Sequence, residues 1–443
     1  MSTTALAGSL PPGPRTPASV QVARWTLDPA TFLRDCRRRF GNLFTLRLVL
    51  GGRVPTVFLA DPEYVGEVFR RKATTVGFPR ETLTPIFGSN SVLVVDGPEH
   101  LRKRKLLAPP FHGQNLRQHE ETVLDATTTA VEGWPVGEPF ALGERLHSIA
   151  LEVILKAVFG LDDPRRDALV RRRIDQLLSL GANRFTIAAA ALPARVGPID
   201  LRFPVVHRRR RLDAALHEEI ARRRAEGDLA GRHDVMSTLL TARDETGDGL
   251  SDQEVCDNLV TILLAGHETT ATALAWSFDH LLHNQAAFGR TVEEARDPAG
   301  SGEYAEAVIT ESLRMSPPFP IVTRALAAPL RAGGYELPAG TLVAPCSFLI
   351  HRSPEWFAPD PEAFRPERFL GSPVDRSSWF PFGGGERRCL GANFARVQAR
   401  LIMCRVLQLV DLAPGAVRPE TIRRKGLVLA PRRGTRAVVV RRL

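Results

Sequence analysis

From Ser251 to about Asn284 apolar residues recur at helical spacing. The opening Ser251-Asp252-Gln253-Glu254 is a capping box, in which serine and glutamate can each satisfy the other's backbone amide. At ~1.5 Å per residue such a helix is on the order of 50 Å long, enough to cross a whole domain. Inside it stands Ala265-Gly266-His267-Glu268-Thr269-Thr270. A glycine followed by an acid and two β-branched hydroxyl residues is poor chemistry for a turn whose only task is stability. Threonine hydroxyls can divert backbone hydrogen bonds and open a groove for a water or small ligand. A helix that merely tolerates a weak turn would carry the same letters.

Helical spacing returns at Leu142 to Phe159, about Asp167 to Leu180, His207 to Ala225 and Ala392 to about Val410. Short β-prone runs occupy Leu43 to Leu48, Thr56 to Ala60, Pro320 to Arg324, Leu342 to Leu349 and the tail, at Gly426 to Ala430 and Ala437 to Val440. The expected fold is mainly α with small β-sheets. Prolines at 11, 12, 14 and 17 mark residues 1–19 as a flexible arm, leaving 20–443 as a single domain. Two apolar, irregular stretches, 74–98 and 185–203, read as a covering loop and a lid.

Five cysteines in unrelated contexts do not form a disulfide framework, and the chain lacks a secretory leader pattern. The expectation is a reducing, cytoplasmic protein, monomeric and with no membrane span. The net charge of +10 is carried by scattered arginine clusters without a base-reading motif or aromatic interleaving. Nucleic acid is therefore not an expected partner.

One cysteine differs from the rest. Phe382-Gly-Gly-Gly-Glu-Arg-Arg-Cys389-Leu-Gly391 holds it in a glycine-rich turn directly before a helix. Close backbone amides, neighbouring guanidiniums and the helix dipole all favour its thiolate, as a lone soft ligand or as a nucleophile. Elsewhere, His100 and Arg104 share one face of a basic helical turn, and Glu311 and Arg314 are spaced for an i,i+3 pair. Neither pattern is specific alone.

Together these segments resemble the cytochrome P-450 family of haem-thiolate enzymes. The cysteine loop matches Phe-x-x-Gly-x-Arg-x-Cys-x-Gly at Phe382, Gly385, Arg387, Cys389 and Gly391. The Ala-Gly-x-Glu-Thr-Thr stretch at 265–270, the Glu-x-x-Arg pair and Pro366-Glu-Arg-Phe369 follow the family's order. The resemblance implies that fold, with haem b (iron protoporphyrin IX) between the long central helix and the cysteine-loop helix. It implies Cys389 as iron ligand, His100, Arg104, Arg324 and Arg387 on the haem carboxylates, and Ala265, Phe382 and Gly391 at the cofactor. Glu311, Arg314 and Arg368 would form a structural network, and Glu268 and Thr269 would deliver protons during oxygen activation. One departure is Val322, where some soluble members carry an aspartate.

The activity so implied is monooxygenation: one oxygen atom from O2 enters a C–H bond (hydroxylation) or C=C bond (epoxidation). Electrons would come from a separate ferredoxin or flavodoxin with its reductase, and Lys103, Lys105 and Arg388 are candidates for its docking surface. Apolar candidates for the pocket, Phe78, Phe87, Val94, Leu264, Phe319, Pro320, Ile321 and Val428, point to a lipophilic small molecule such as a fatty acid, terpenoid, steroid or polyketide. A peroxide-driven or rearranging haem-thiolate enzyme and a non-catalytic haem gas sensor are the alternatives.

Overall fold

The computed structural model describes residues 10–48, 55–71, 75–76, 80–113, 117–160, 164–182, 195–196, 199–200, 203–227, 229, 231–371 and 375–443. The central helix runs Asp252–Leu282, and both halves of its capping box form. Ser251 N donates to Glu254 Oε2 at 2.9 Å, while Glu254 N donates to Ser251 Oγ at 3.3 Å. Nearly every side chain from Thr270 to Leu282 is buried, so the helix is a core element rather than an amphipathic surface one.

Its most extensive partner is the helix Leu142–Phe159. A Cβ on Gly266 would stand 3.1 Å from Ile154 Cδ1, so the weak residue of the mid-helix motif is what allows the two helices to close. The helix Ala392–Leu409 packs against Glu120–Glu132, Gln285–Arg296 and Glu303–Met315, enlarging the same core.

A five-stranded sheet stands beside the helices in the order Leu43–Leu46, Thr56–Leu59, Leu342–Pro345, Arg324–Ala325, Thr75–Val76. Val343 is in register with Val57 on one side and Arg324 on the other. Phe44 and Phe58 stack at 5.3 Å beneath it, with Trp25 edge-on to Phe58. The hairpin Ile422–Lys425/Val428–Pro431 leans on the central helix, where Trp276 Nε1 donates to Leu429 O at 2.9 Å.

Several expectations change. From Leu10 onward the proline-rich stretch is not a free arm: Thr45 N donates to Pro12 O at 3.0 Å and Thr45 Oγ1 to Pro11 O at 2.7 Å. Prolines cannot donate, but their carbonyls accept from the strand edge. The stretch 74–98 is not wholly irregular, because Arg80–Phe87 is helical despite Pro85. Strand structure stops at Pro345, and Ser347–Ile350 turns into a helix. In the Pro320–Arg324 run only Arg324 joins a strand. Most of 185–203 lies outside the described residues.

A buried ion pair joins these covering elements to the core. Arg209, on the helix Phe203–Glu226, donates to Asp257 of the central helix at 2.7 Å and to Ile86 O at 2.7 Å. Asp257 also accepts from the backbone and side chain of Asn90.

Candidate active site

The cysteine loop closes as a tight turn: Cys389 N donates to Phe382 O at 2.9 Å, and Gly383 and Gly385 take φ of 67° and 66°. Side chains are excluded at its tip, since a Cβ on Gly384 would meet the Phe69 ring at 2.2 Å and one on Gly385 would meet Phe69 O at 2.5 Å. Gly391 then caps the helix Ala392–Leu409 without a side-chain bond. Cys389 is solvent-accessible, yet closely ringed by protein. Burial pushes its thiol up from the ordinary value, opposed by the Gly391 amide, Arg104 and Arg388. Held as a thiol by burial, the sulfur is poorly placed as a free nucleophile.

Four groups from three distant stretches meet around this loop. Arg324 is buried, its guanidinium donating, among the described residues, to Thr323 O at 2.8 Å and Arg387 O at 3.5 Å. Burial, and then Arg387, lower its pKa to about 10. His100 is also buried, and burial followed by Arg387 and Arg104 brings its pKa to about 4. Burial lowers the pKa of Arg104, with Cys389 opposing, and Arg104 has no carboxylate partner among the described residues. Arg387 donates to Asp96 and to Val95 O, the latter at 2.7 Å. Three guanidiniums and an imidazole therefore converge with Asp96 as the acid among them. Such a set fits an anion carrying two carboxylates beside a thiolate-bound metal, which is the chemistry of haem.

On the central helix Ala265 is exposed although its flanks are largely buried. Thr269 lies one turn on, its Oγ1 donating to Ala265 O at 2.7 Å, and Thr270 does the same to Gly266 O at 2.9 Å. Glu268 is tied on both sides, with Oε2 3.3 Å from His147 Nδ1 and Oε1 3.0 Å from Lys425 Nζ. Burial would raise its pKa, but His147 and Lys425 outweigh that and hold it at about 2.

Behind the loop, Arg314 donates to both oxygens of Glu311 at 2.6 and 2.7 Å, both side chains fully buried. Arg368 Nε stands 3.6 Å from Glu311 Oε1, and its guanidinium also donates to the carbonyls of Phe357 and Ala358. Among the apolar candidates, Phe319 is exposed, and Phe87, Leu264 and Ile321 are partly so. Val94, Pro320 and Val428 are buried, with Leu93 and Leu427 the exposed neighbours. Phe78 lies outside the described residues.

Lys103 corrects an expectation. Far from a docking surface, it is fully buried, 3.1 Å from Glu254 and 2.7 Å from Glu99. Lys105 is exposed and pairs with Glu245 at 2.8 Å. His147, Lys425 and Asp96 were not anticipated. Each gains its partner from a distant stretch, and no local pattern marks it.

The family model described as Cytochrome P450 matches residues 9–437. A Mycobacterium bovis protein named cytochrome P450 135B1 is 37% identical over 434 residues, 96% of this chain and 90% of its own. A Mycobacterium tuberculosis protein named cytochrome P450 137 is 41% identical over 403 residues, 90% of this chain and 83% of its own. In fold, the haem domain of cytochrome P450DA superposes with TM-score 0.84 at 21% identity, covering 99% of this chain and 98% of that one. The retinoic-acid-bound cyanobacterial CYP120A1 superposes with TM-score 0.82 at 22% identity, covering 98% and 100%.

Proposed function

This chain belongs to the cytochrome P450 family, and from that premise we propose that the chain from Leu10 onward acts as one haem b-dependent unit that hydroxylates or epoxidises a lipophilic small molecule. Its electrons come from a ferredoxin or flavodoxin with a separate reductase. Membership makes the protein a monooxygenase, an oxidoreductase that uses haem, O2 and redox partners on a small molecule. Among the described residues no helix is long and apolar enough to cross a membrane.

When bound, haem supplies an iron centre that activates dioxygen, for the balance RH + O2 + 2 e⁻ + 2 H⁺ giving ROH + H2O. Cys389 would ligate that iron as a thiolate. His100, Arg104, Arg324 and Arg387 would bind its two carboxylates, while Phe382 and Gly391 would shape the cysteine loop beside it. Val322 adds no acid to this cluster, where Asp96 pairs with Arg387. Ala265 would offer the haem a small side chain from the central helix. Thr269 Oγ1, bonded to a carbonyl of its own helix, holds and passes on a proton at the reacting face. Glu268 renews that proton from solvent, and must exchange its His147 and Lys425 contacts to do so. Phe87, Leu264, Phe319 and Ile321 keep the substrate side apolar.

The observation that carries this reading is the convergence of three guanidiniums and His100 beside Cys389. A carbon monoxide difference spectrum of the reduced protein tests it. A thiolate-type band is expected, and a histidine-type band would overturn the ligand assignment. Spin-state shifts on titration with fatty acids, terpenoids and steroids then find the substrate class. Product formed with ferredoxin and reductase, and not with peroxide alone, separates monooxygenation from the peroxide-driven alternative.

A further inference from the structure

A second cluster of ligand-bearing side chains lies beside the motif turn of the central helix, and none of its groups is assigned to haem. His147 stands on the helix Leu142–Phe159, His267 and Glu268 on the central helix, and one ligand atom from each lies within 4.8 Å of the others. The close helix approach at Gly266 brings them together. The two imidazoles meet edge to face at 4.9 Å. His267 Nδ1 lies 2.9 Å from Leu263 O, so that nitrogen carries the proton and Nε2 keeps its lone pair. The carboxylate oxygens of Glu268 have separate neighbours: Oε2 faces His147 and Oε1 faces Lys425. The His147 side chain is 33% exposed and that of Glu268 27%, which leaves a path from solvent.

We propose that His147, His267 and Glu268 form a metal site separate from the haem, taking a divalent cation of zinc's chemistry with water as the fourth ligand. Two imidazole nitrogens and one carboxylate oxygen are the donor set of open zinc sites, whereas calcium and magnesium prefer all-oxygen surroundings. Ligand atoms around tetrahedral zinc are about 3.3 Å apart, given bonds of about 2.0–2.1 Å, so side-chain rotation must draw the three inward. The Leu263 carbonyl already orients His267, as an outer partner does in established metal sites. Lys425 orients the carboxylate from Oε1 but repels a dication, and so weakens the site.

One consequence rests on the proton role proposed for Glu268. A bound metal takes up Oε2 and removes Glu268 from proton delivery, so zinc slows product formation while haem and substrate stay in place.

The test uses tag-free, metal-stripped ferric holoprotein titrated with zinc ion by equilibrium dialysis at neutral pH, with the haem absorption band followed in parallel. Expected is saturable uptake of one zinc per chain without haem loss. His147→Ala and His267→Ala should each weaken it at least about tenfold, comparable to or beyond the loss of an outer partner. Lys425→Met, which alters an exposed side chain, should tighten it several-fold. Absence of a saturable equivalent overturns the site, as does uptake indifferent to both His147→Ala and Lys425→Met. If zinc binds in this pattern and the rate of product formation holds, the metal site stands and the proton role of Glu268 falls.

Discussion

Thr269 spends its hydroxyl on the carbonyl one turn back, at 2.7 Å, an arrangement that weakens a helix slightly and keeps an oxygen on the face shared with Ala265. Thr269→Ala should therefore cost little stability, yet divert reducing equivalents to hydrogen peroxide. The check is the ratio of product to NAD(P)H consumed, with peroxide assayed alongside; unchanged coupling would count against the role. Glu268 makes a different prediction. Its folded pKa of about 2 lies below the ordinary glutamate value of about 4.3, so its contribution to stability is complete above that value and is lost as pH falls toward 2. Thermal melts should find Glu268→Gln less stable than the parent at about pH 7, and the gap should narrow below about pH 4. At this scale the sequence marks residues by their local chemistry and is blind to the partners they find in space. Cys389, Thr269 and Glu268 stand out by local chemistry, whereas His147 is one polar residue on an otherwise ordinary helix. Lys103 looked like a surface cation because the pull of Glu254 on it is invisible in the segment 100–105.

Among the elements, the helix Glu303–Met315 and the segment 357–369 are joined in part through Arg314. Besides gripping Glu311, its guanidinium donates to His351 O and Pro361 O, both at 2.7 Å, and to Ala363 O at 3.1 Å. Arg314→Ala would leave the Glu311 charge buried and several carbonyls without donors, a cost of about 3–5 kcal/mol for the ion pair alone. The expected outcome is loss of folded holoprotein, read as haem retained on gel filtration; normal haem content would sink the idea. This pair was legible from its i,i+3 spacing, as was the capping box at Ser251, because both are written in one short window. The helix Arg80–Phe87 was not. Pro85 and the flanking glycine read as breakers, and the support comes from elsewhere, where Arg209 donates to Ile86 O at 2.7 Å. Gly88 itself sits at φ 85° with the Asp257 carboxylate 2.0 Å from where a Cβ would stand, so this junction needs glycine for both reasons.

Across the whole molecule, helical periodicity was enough to foresee a mainly α protein, because long elements average over many residues. The small sheets were harder, since strands of two to four residues such as Arg324–Ala325 and Leu342–Pro345 exist by virtue of distant pairing. Net charge acts at this scale too. A chain at +10, with Arg388 beside Cys389 and no acid paired to it among the described residues, favours an acidic electron donor. Stopped-flow reduction by a ferredoxin should slow about tenfold or more between about 0.1 M and 1 M salt, as the screening length falls from about 10 Å to about 3 Å. A rate indifferent to salt would argue for an apolar docking surface.

The convergence of Arg104, Arg324 and Arg387 also bears on how the protein is made in the cell. These side chains belong to a helix, a strand and a loop that leave the ribosome at widely separated times, and each raises the electrostatic cost of bringing in the next. Asp96 offsets Arg387, but Arg324 is set against Arg387 with no acid of its own among the described residues, so until a dianion arrives the last stage of assembly is opposed by like-charge repulsion in a low-dielectric interior. The cell's haem supply, more than transcription, would then set how much enzyme accumulates, and chains made during haem shortage would be the ones its proteases remove.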